Sequence, residues 1–476
     1  MAIGGIGGLG SGMDVRAMVD ALVNAEKAPK ESQLSRLEST TNTKISAIGQ
    51  FKSALSAFET ALKNLNSAPL YQQRSTASAD ESIFTLTAGS KAVAGNYDIQ
   101  VLELAQGSKV SLAGMDGTDI PMGAGTLSIQ VGSETLDVEI AEGKDTLAGI
   151  RDAINAAGKE QGLSATIVTD PGGDGGSRLV LSSTATGEGK DISVTASGSA
   201  GLAVLEFPAS AAAPEGDRAP RMLTAASDAR FSIDGIMMSS GSNTIDNAID
   251  GVSLTLKAAQ SADDQATGKT LALTVSEDLE AVKSSVTEFV DSYNKLMNTI
   301  GSLTKVTPGA GEGAPSAGAL VGDASVRSFV NNMRSELSSQ SGGEIRILAD
   351  LGITTERDGT LKLDSARLDK VLDGGTDKLS TFLAGENGLM SRLESRVKPY
   401  TQTGGLLDNR NTALQSTIAD VRDQREALER RTASLESRLL AQFNAMDSMV
   451  GQLMGTSNYL TGILDSLPGV VNQNKK

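Results

Sequence analysis

The chain has 476 residues, of which 39% are hydrophobic, and this predicts about three domains with modest cores. Its net charge of −16 repels phosphate groups, so neither nucleic acid nor an anionic membrane is expected as the main partner. The sequence contains no cysteine and no histidine, which excludes disulfides and cysteine nucleophiles and argues against a triad hydrolase or a zinc enzyme. We therefore expect a non-enzymatic protein without a cofactor or a metal site.

The Gly-rich N-terminus has neither the basic nor the apolar region of a Sec signal peptide, and no stretch approaches the roughly 20 apolar residues of a membrane helix. We expect the first dozen residues to be disordered until a partner orders them. From Asp14 an apolar face predicts a helix that ends at a break at Pro29. A second helix is then predicted to about Asn66.

Apolar residues in this second helix alternate at spacings of three and four, the pattern of a coiled-coil seam. Thr41 and Lys44 are polar members of the same register. The apolar members are Leu34, Leu37, Ile48, Phe51, Leu55, Phe58, Leu62 and Leu65.

The C-terminal region repeats this seam over nearly six heptads. Its apolar members are Leu414, Ile418, Val421, Leu428, Leu435, Leu439, Met446, Met449 and Leu453. So narrow a seam leaves much of each helix unburied, so the terminal helices are expected to pair with each other or with another chain. A surface helix on a globular domain is the alternative. Arg425, Thr432 and Gln442 occupy seam positions and favour a register-specific or larger assembly over a simple dimer.

Between about residues 76 and 274 the hydrophobic period changes to two, which predicts antiparallel sheets. One helix interrupts them, capped by Asp145 or Thr146 and ending near Gly158. The Ala/Pro-rich stretch 208–220 is interpreted as a boundary between two β-rich domains. Strands are predicted at residues 83–88, 97–104, 126–131, 135–141, 164–169, 178–182, 191–196, 230–238, 252–258 and 270–275.

After these strands the pattern returns to helix. A third heptad stretch begins at Val275 and is predicted to end at Gly301, followed by a loop over 302–318 and a helix over 323–337. A hairpin turn is predicted at residues 357–360, and Asp364 is expected to cap a short helix that reaches Leu372.

Three stretches resemble ligand sites but lack a required feature. Residues 5–10 match the dinucleotide fingerprint GxGxxG, yet no strand precedes them. Residues 268–270 resemble the end of a phosphate loop, yet Asp263 replaces the required glycine and a strand-like segment follows. Asp170 and Asp174 lie among glycines that could surround Ca²⁺, but the EF-hand spacing is absent, so a hairpin loop is the better interpretation.

The predicted fold is therefore α+β and multidomain, with coiled-coil terminal helices that pair into a helical leg and antiparallel β-rich domains inserted between helical segments. The leg helix occupies residues 1–70 with the disordered N-terminus. Residues 71–105 join 275–405 in a mixed helical domain beside the leg. Two β-rich domains cover 106–229 and 230–274, and residues 406–476 form the C-terminal leg helix and a flexible tail.

Motifs along the whole chain resemble the flagellar filament-capping protein family, also called hook-associated protein 2. The segment 125–168 resembles a flagellin-insert repeat. The other matching motifs, in chain order, are residues 8–15, 25–29, 95–101, 104–105, 247–256, 351–353, 358–364, 442–443, 446–447 and 457–460.

The resemblance implies a cap at the distal tip of the bacterial flagellum, which retains exported flagellin and promotes its polymerisation, as filament elongation and motility require. It implies export by the flagellar type III apparatus, a ring of roughly five subunits, and a cytoplasmic export chaperone that binds the C-terminal segment. Attachment to host mucus or surface glycans is a further implication for the β-rich domains. A secreted surface adhesin and a hook–filament junction protein remain alternatives.

Overall fold

The computed structural model describes residues 14–172, 174–308 and 316–466, and within them the chain forms two compact units. Unit 1 combines the residues up to Ser67 with those from Lys283 onward, and unit 2 is the continuous stretch from Ala68 to Val282. The α-helices of the described residues are α1 (Val15–Leu65), α2 (Ala68–Gln72), α3 (Leu147–Gly158), α4 (Ala262–Ala266), α5 (Leu279–Thr304), α6 (Ala324–Leu337), α7 (Ser365–Leu372), α8 (Asp377–Leu383), α9 (Leu389–Thr401) and α10 (Leu406–Ser466).

The strands lie mainly in unit 2 and pair in antiparallel fashion. They are β1 (Arg74–Ser78), β2 (Phe84–Ala88), β3 (Gly95–Glu103), β4 (Gly107–Ser111), β5 (Gly125–Val131), β6 (Glu134–Ile140), β7 (Leu163–Thr169), β8 (Ser177–Thr186), β9 (Ile192–Gly198), β10 (Arg221–Thr224), β11 (Ala229–Ile233), β12 (Ile236–Ser240), β13 (Thr244–Ile249), β14 (Val252–Leu256), β15 (Leu271–Glu277), β16 (Val306–Thr307), β17 (Ser316–Ala317), β18 (Ile353–Thr355) and β19 (Leu361–Leu363).

Unit 1 is mainly helical, and its two longest helices are α1 and α10. The C-terminal half of α1 packs against α9 and α10, and its aromatic residues enter the core. The Phe58 ring lies 5.8 Å from the rings of both Phe289 and Tyr293, and Phe51 meets Phe329 edge to face at 5.7 Å. These contacts fix the C-terminal half of α1 within unit 1, because aromatic pairs contribute stabilising energy beyond that of the area they bury.

Unit 2 contains two hydrophobic cores. One lies between the five-stranded sheet β1-β15-β3-β11-β12 and the three-stranded sheet β13-β14-β2. The other is formed by the four-stranded sheet β10-β4-β8-β7, the three-stranded sheet β6-β5-β9 and helix α3. The Thr146 side chain caps α3 by accepting the Gly149 N–H, as predicted. The α+β class with long terminal helices and antiparallel sheets between them is thus confirmed.

The predicted helix break at Pro29 is wrong, since α1 continues through it as one helix of 51 residues. A proline inside a helix leaves the carbonyl four residues earlier without its usual donor. That residue, Ala25, is exposed, as is Pro29 itself, so water can solvate the free carbonyl.

The predicted third heptad stretch is wrong at both of its ends, whereas the strand predicted over 270–275 is confirmed as β15. Val275 belongs to β15, where it pairs with Thr76 and lies buried on the inner face of the sheet. The helix begins only after Asp278, whose carboxylate accepts the Ala281 N–H at 2.9 Å. It continues past Gly301 to Thr304, because a glycine within a helix lowers its stability by only about 1 kcal/mol.

Local patterning also missed some strand features. The predicted strand over 230–238 is divided into β11 and β12 by a turn at Asp234, which has a φ of 49°, and Gly235. Strands β1, β4, β10 and β13 were not predicted, and neither were the two-residue strands β16 and β17, which pair within the predicted loop 302–318. The strands between Arg74 and Glu103 pair with segments from 229 to 277, within unit 2, whereas residues 71–105 were expected to join the helices of 275–405. Pairing over so long a sequence separation leaves no local signal.

Candidate assembly interface

Helices α1 and α10 run antiparallel along one another. Lys52 pairs with Asp408 near the start of α10, and Arg431 pairs with Glu26 at 2.7 Å farther along. The later residue of α10 therefore pairs with the earlier residue of α1, so the two helices run in opposite directions. The chain thus pairs its own terminal helices, which was one of the two arrangements left open by the sequence.

Most of the α1 seam is buried. Leu37 is the exception, because it is 42% exposed and the neighbouring Glu38 is half-buried in its place. Lys44 is likewise exposed while Ile45 is half-buried. These two alternate positions are therefore shifted by one residue, whereas Leu34 and Thr41 keep the predicted register. The predicted seam residues that are at most 2% exposed are Leu34, Ile48, Phe51, Leu55, Phe58, Leu62 and Leu65.

The α10 seam becomes progressively less covered toward the C-terminus. Val421 is fully buried. Leu414, Ile418, Leu428, Leu435 and Leu439 are half-buried, whereas Met446, Met449 and Leu453 are between 42% and 64% exposed. The structure therefore brings the first six residues to the α1 side and leaves the last three in solvent.

The three polar residues predicted in the α10 seam lie in different environments. Thr432 is buried, and its hydroxyl donates to the Glu429 carbonyl of its own helix at 3.0 Å. Gln442 is exposed. Arg425 is half-buried between the helices and contacts two carboxylates of α1, Glu31 and Glu38. A polar residue inside a helix pair is a common determinant of pairing register.

Helix α10 extends beyond the described part of α1. Counting eleven residues along each helix from the Glu26–Arg431 pair places Val15 level with Gln442, and α10 continues to Ser466. Along this extension, large apolar side chains recur on one side of the helix and are exposed. We call Met446, Met449, Leu453, Leu460 and Leu464 the α10 stripe.

Sequence reasoning identified only the first three members of the α10 stripe. Leu460 continues the same spacing, and Leu464 follows one turn later, so extending the heptad count would have found both. A contiguous exposed apolar surface of this kind is typical of a site for another protein.

A charged cluster attaches the start of α10 to α6. Asp323 caps α6 by accepting the Ser325 and Val326 N–H groups, and its second oxygen accepts a hydrogen bond from Arg410 of α10 at 2.5 Å. Burial raises the pKa of Asp323, but the hydrogen bonds from Arg410, Ser325 and Val326 outweigh it and bring the pKa down to about 2. The carboxylate is therefore charged at neutral pH and holds the base of α10 in place.

The sequence stretches that resembled ligand sites do not form such sites in the described part of the chain. Gly268 lies between α4 and β15, so no helix N-terminus follows it to receive a phosphate. Asp170 uses its carboxylate to accept N–H groups from Gly172 and Gly175, which stabilises the hairpin loop itself. Residues 5–10 lie outside the described residues. Across residues 14–172, 174–308 and 316–466 no three acidic side chains converge as metal ligands would.

The same described ranges contain no helix that is both long and apolar enough to cross a membrane. The two terminal helices meet the length requirement, but charged and polar residues interrupt them throughout.

Comparison with known proteins connects this architecture to one family. Three family models match in chain order: flagellar hook-associated protein 2 N-terminus over residues 11–108, flagellin hook IN motif over 126–185, and flagellar hook-associated protein 2 C-terminus over 226–455. The A-type flagellar hook-associated protein 2 of Pseudomonas aeruginosa is 43% identical, with 98% of each chain covered. This chain belongs to the flagellar hook-associated protein 2 family. The resemblance inferred from the motifs is thereby confirmed.

More distant members of the hook-associated protein 2 family agree. The protein of this name from Escherichia coli K12 is 31% identical over 95% of this chain and 96% of the relative. The crystal structure of the D1-D2-D3 domains of the flagellar cap protein FliD from Escherichia coli matches with a TM-score of 0.62 at 29% identity, covering 78% of this chain and 99% of that one. The family is one of structural flagellar cap proteins, so this chain is a structural protein and not an enzyme.

Proposed function

We propose that this protein caps the distal tip of the bacterial flagellar filament, where it retains exported flagellin and promotes its polymerisation. The observation that carries the proposal is the 43% identity to a flagellar hook-associated protein 2 across 98% of both chains, because it spans the terminal helices as well as the β-rich unit. In this role the protein is secreted through the flagellar type III apparatus and is needed for filament elongation and motility.

The α1/α10 pair has the properties of a leg that contacts flagellin. Residues of both helices contribute to a common apolar interior, which holds the pair together. The α10 stripe then presents exposed leucine and methionine side chains, and methionine adapts readily to a partner surface. The seam residues therefore hold the leg together, and the stripe contacts flagellin at the filament tip.

Other copies of the chain are the second proposed partner, because the resemblance implies a ring of roughly five identical subunits, and closed rings are a common form of homo-oligomer. A cytoplasmic export chaperone is the third. The α10 stripe supports this, since an apolar helix face must be covered before secretion to avoid aggregation. Attachment to host mucus or surface glycans stays a prediction from the resemblance.

Deletion of the gene in its own host tests the proposal. We expect cells without filaments, no swimming, and flagellin monomers accumulating in the medium, with all three reversed by the wild-type gene on a plasmid. Filaments of normal length in the deletion strain would contradict the proposal, and they are the result that a surface adhesin predicts.

A further inference from the structure

Arg425 is a charged residue in the middle of the apolar seam of α10. Val421 precedes it by one turn and is fully buried, and Leu428 follows it and is half-buried. The side chain of Arg425 is itself only 29% exposed. A guanidinium in this position interrupts the apolar seam. Partial burial of its charge costs free energy unless the charge is paired, so Arg425 needs partners on α1.

The partners of Arg425 are three polar residues on one face of α1. Its Nη1 donates to Glu38 at 2.5 Å, and its Nη2 donates to the Ser35 hydroxyl at 2.9 Å. Its Nε lies 3.2 Å from a Glu31 carboxylate oxygen. Glu31, Ser35 and Glu38 are spaced by four and three residues, so they form a continuous patch that one planar guanidinium can span.

This patch distinguishes the observed pairing from its nearest alternatives. An apolar heptad seam can shift by seven residues and still bring apolar residues together. After such a shift, Arg425 lies level with Asn24 and Glu31 in one direction, or with Glu38 and Ile45 in the other. Either shift removes one of the two carboxylates from Arg425. The displaced carboxylate then faces Ile418 or Thr432, neither of which carries a charge.

Two other ion pairs of the described part of the chain join the helices, but each uses a single carboxylate and is therefore a weaker determinant of register. In the Lys52–Asp408 pair the side chains are 39% and 31% exposed. In the Arg431–Glu26 pair the side chains are 74% and 51% exposed, so solvent and salt screen their attraction. Among the described residues, the ion pair of Arg430 is with Glu426 of its own helix. Arg425 is more buried than either of these arginines and contacts two carboxylates across the pair.

We propose that Arg425 is a positioning residue that sets the register of α10 against α1. By doing so it sets how many turns of α10 extend past Val15 and where the α10 stripe is presented. A shift of one heptad moves the stripe by two turns along the leg, which is about 10 Å. The proposal depends on the proposed function only for this consequence, because the register itself is measurable in the purified protein.

Cysteine cross-linking tests the register directly, because the chain has no native cysteine. Glu26→Cys combined with Arg431→Cys reports the observed register. Glu26→Cys combined with Arg438→Cys or with Gln424→Cys reports a shift of one heptad in either direction. Each pair is introduced into the wild-type background and into Arg425→Met, Arg425→Lys and Arg430→Met, and is treated with a short bismaleimide.

We expect the wild type and the Arg430→Met control to cross-link at 26/431 with little product at the other pairs. In Arg425→Met, the ratio of shifted to native product rises about fivefold or more, while helical content stays unchanged since methionine fits an apolar seam. Arg425→Lys gives an intermediate ratio, because one ammonium cannot span both carboxylates.

An Arg425→Met protein that cross-links only at 26/431 would overturn the proposal. Loss of all three products together with helical content would also overturn it, because Arg425 would then support folding and not register. If Arg425→Met shifts the register but flagellin retention in cells is unaffected, the register proposal holds and the assignment of the stripe to flagellin fails.

Discussion

At the residue scale, Asp323 shows how one side chain connects separate elements of unit 1. It caps α6 and pairs with Arg410 of α10, and these contacts favour its charged form. Its pKa of about 2 in the folded protein is below the ordinary value of 3.8. The stabilisation is therefore complete above about pH 4 and is lost as the pH falls toward 2.

Asp323→Ala is expected to lower the free energy of unfolding by about 2 kcal/mol at pH 7, because it removes a helix cap and a charge-assisted hydrogen bond. The difference from the wild type should shrink by more than half near pH 2, because Asp323 is then about half protonated in the folded state and almost fully protonated in the unfolded state. Urea unfolding followed by circular dichroism at the two pH values measures this.

Asp364→Ala is the matched control, because Asp364 caps α7 through the Arg367 N–H and forms no ion pair with α10 among the described contacts. Its effect at pH 7 should be smaller, about 1 kcal/mol. Equal losses for the two variants would mean that the Arg410 contact contributes nothing.

At the element scale, the seam is not uniform, so substitutions along it should differ in effect. Leu55→Asp places a carboxylate at a fully buried position and should cost at least about 3 kcal/mol. Leu428→Asp lies at a half-buried position and should cost about 1 kcal/mol. Urea unfolding of the purified variants measures both values.

Asp174→Ala, in the exposed loop between β7 and β8, is the control for these seam variants. It should change stability by less than about 0.5 kcal/mol. If all three variants lose the same stability, the seam is not what holds the helix pair together.

The α10 stripe gives a separate prediction, because its side chains are exposed and make little contribution to folding. The double variant Leu453→Asp and Leu460→Asp should leave the unfolding curve unchanged within about 0.5 kcal/mol and should abolish swimming in the deletion strain. Soft-agar motility and flagellin in the medium measure the loss.

The matched control is Gln452→Asp with Asn458→Asp, which adds the same charge to exposed positions away from the stripe. This control should swim normally. Normal swimming of the stripe variant would exclude the stripe from flagellin contacts.

The sequence predicted those elements whose signal is local. Asp323 and Asp364 each precede a periodic segment and cap a helix in the structure, and the turn over 357–360 connects β18 to β19. The terminal helices and their seams were also visible, because heptad spacing persists over many turns.

Other features depend on partners far along the chain, so the sequence could not show them. β1 is small and polar, and it becomes a strand because β15, about two hundred residues later, pairs with it. Glu38 replaces Leu37 in the seam because Arg425 lies opposite, and an apolar count favours the leucine. Continuity through Pro29 likewise depends on solvent exposure.

At the scale of the whole molecule, unit 2 is one continuous segment inserted between the two parts of unit 1. Its first and last strands lie side by side, since Arg74 pairs with Glu277 in the register of β1 and β15. The insertion thus begins and ends at neighbouring points, which leaves the terminal helices free to pair with each other. This arrangement agrees with the proposed cap function, in which the paired terminal helices contact flagellin and the β-rich unit is inserted between them in the sequence.

The position of the protein on the flagellum tests the central claim most directly. Immunogold electron microscopy of filaments from the complemented deletion strain, with an antibody raised against the purified protein, locates it. The proposal predicts gold at the free distal end of each filament and none along the shaft. Gold at the junction between hook and filament, or spread over the filament surface, would contradict the proposal.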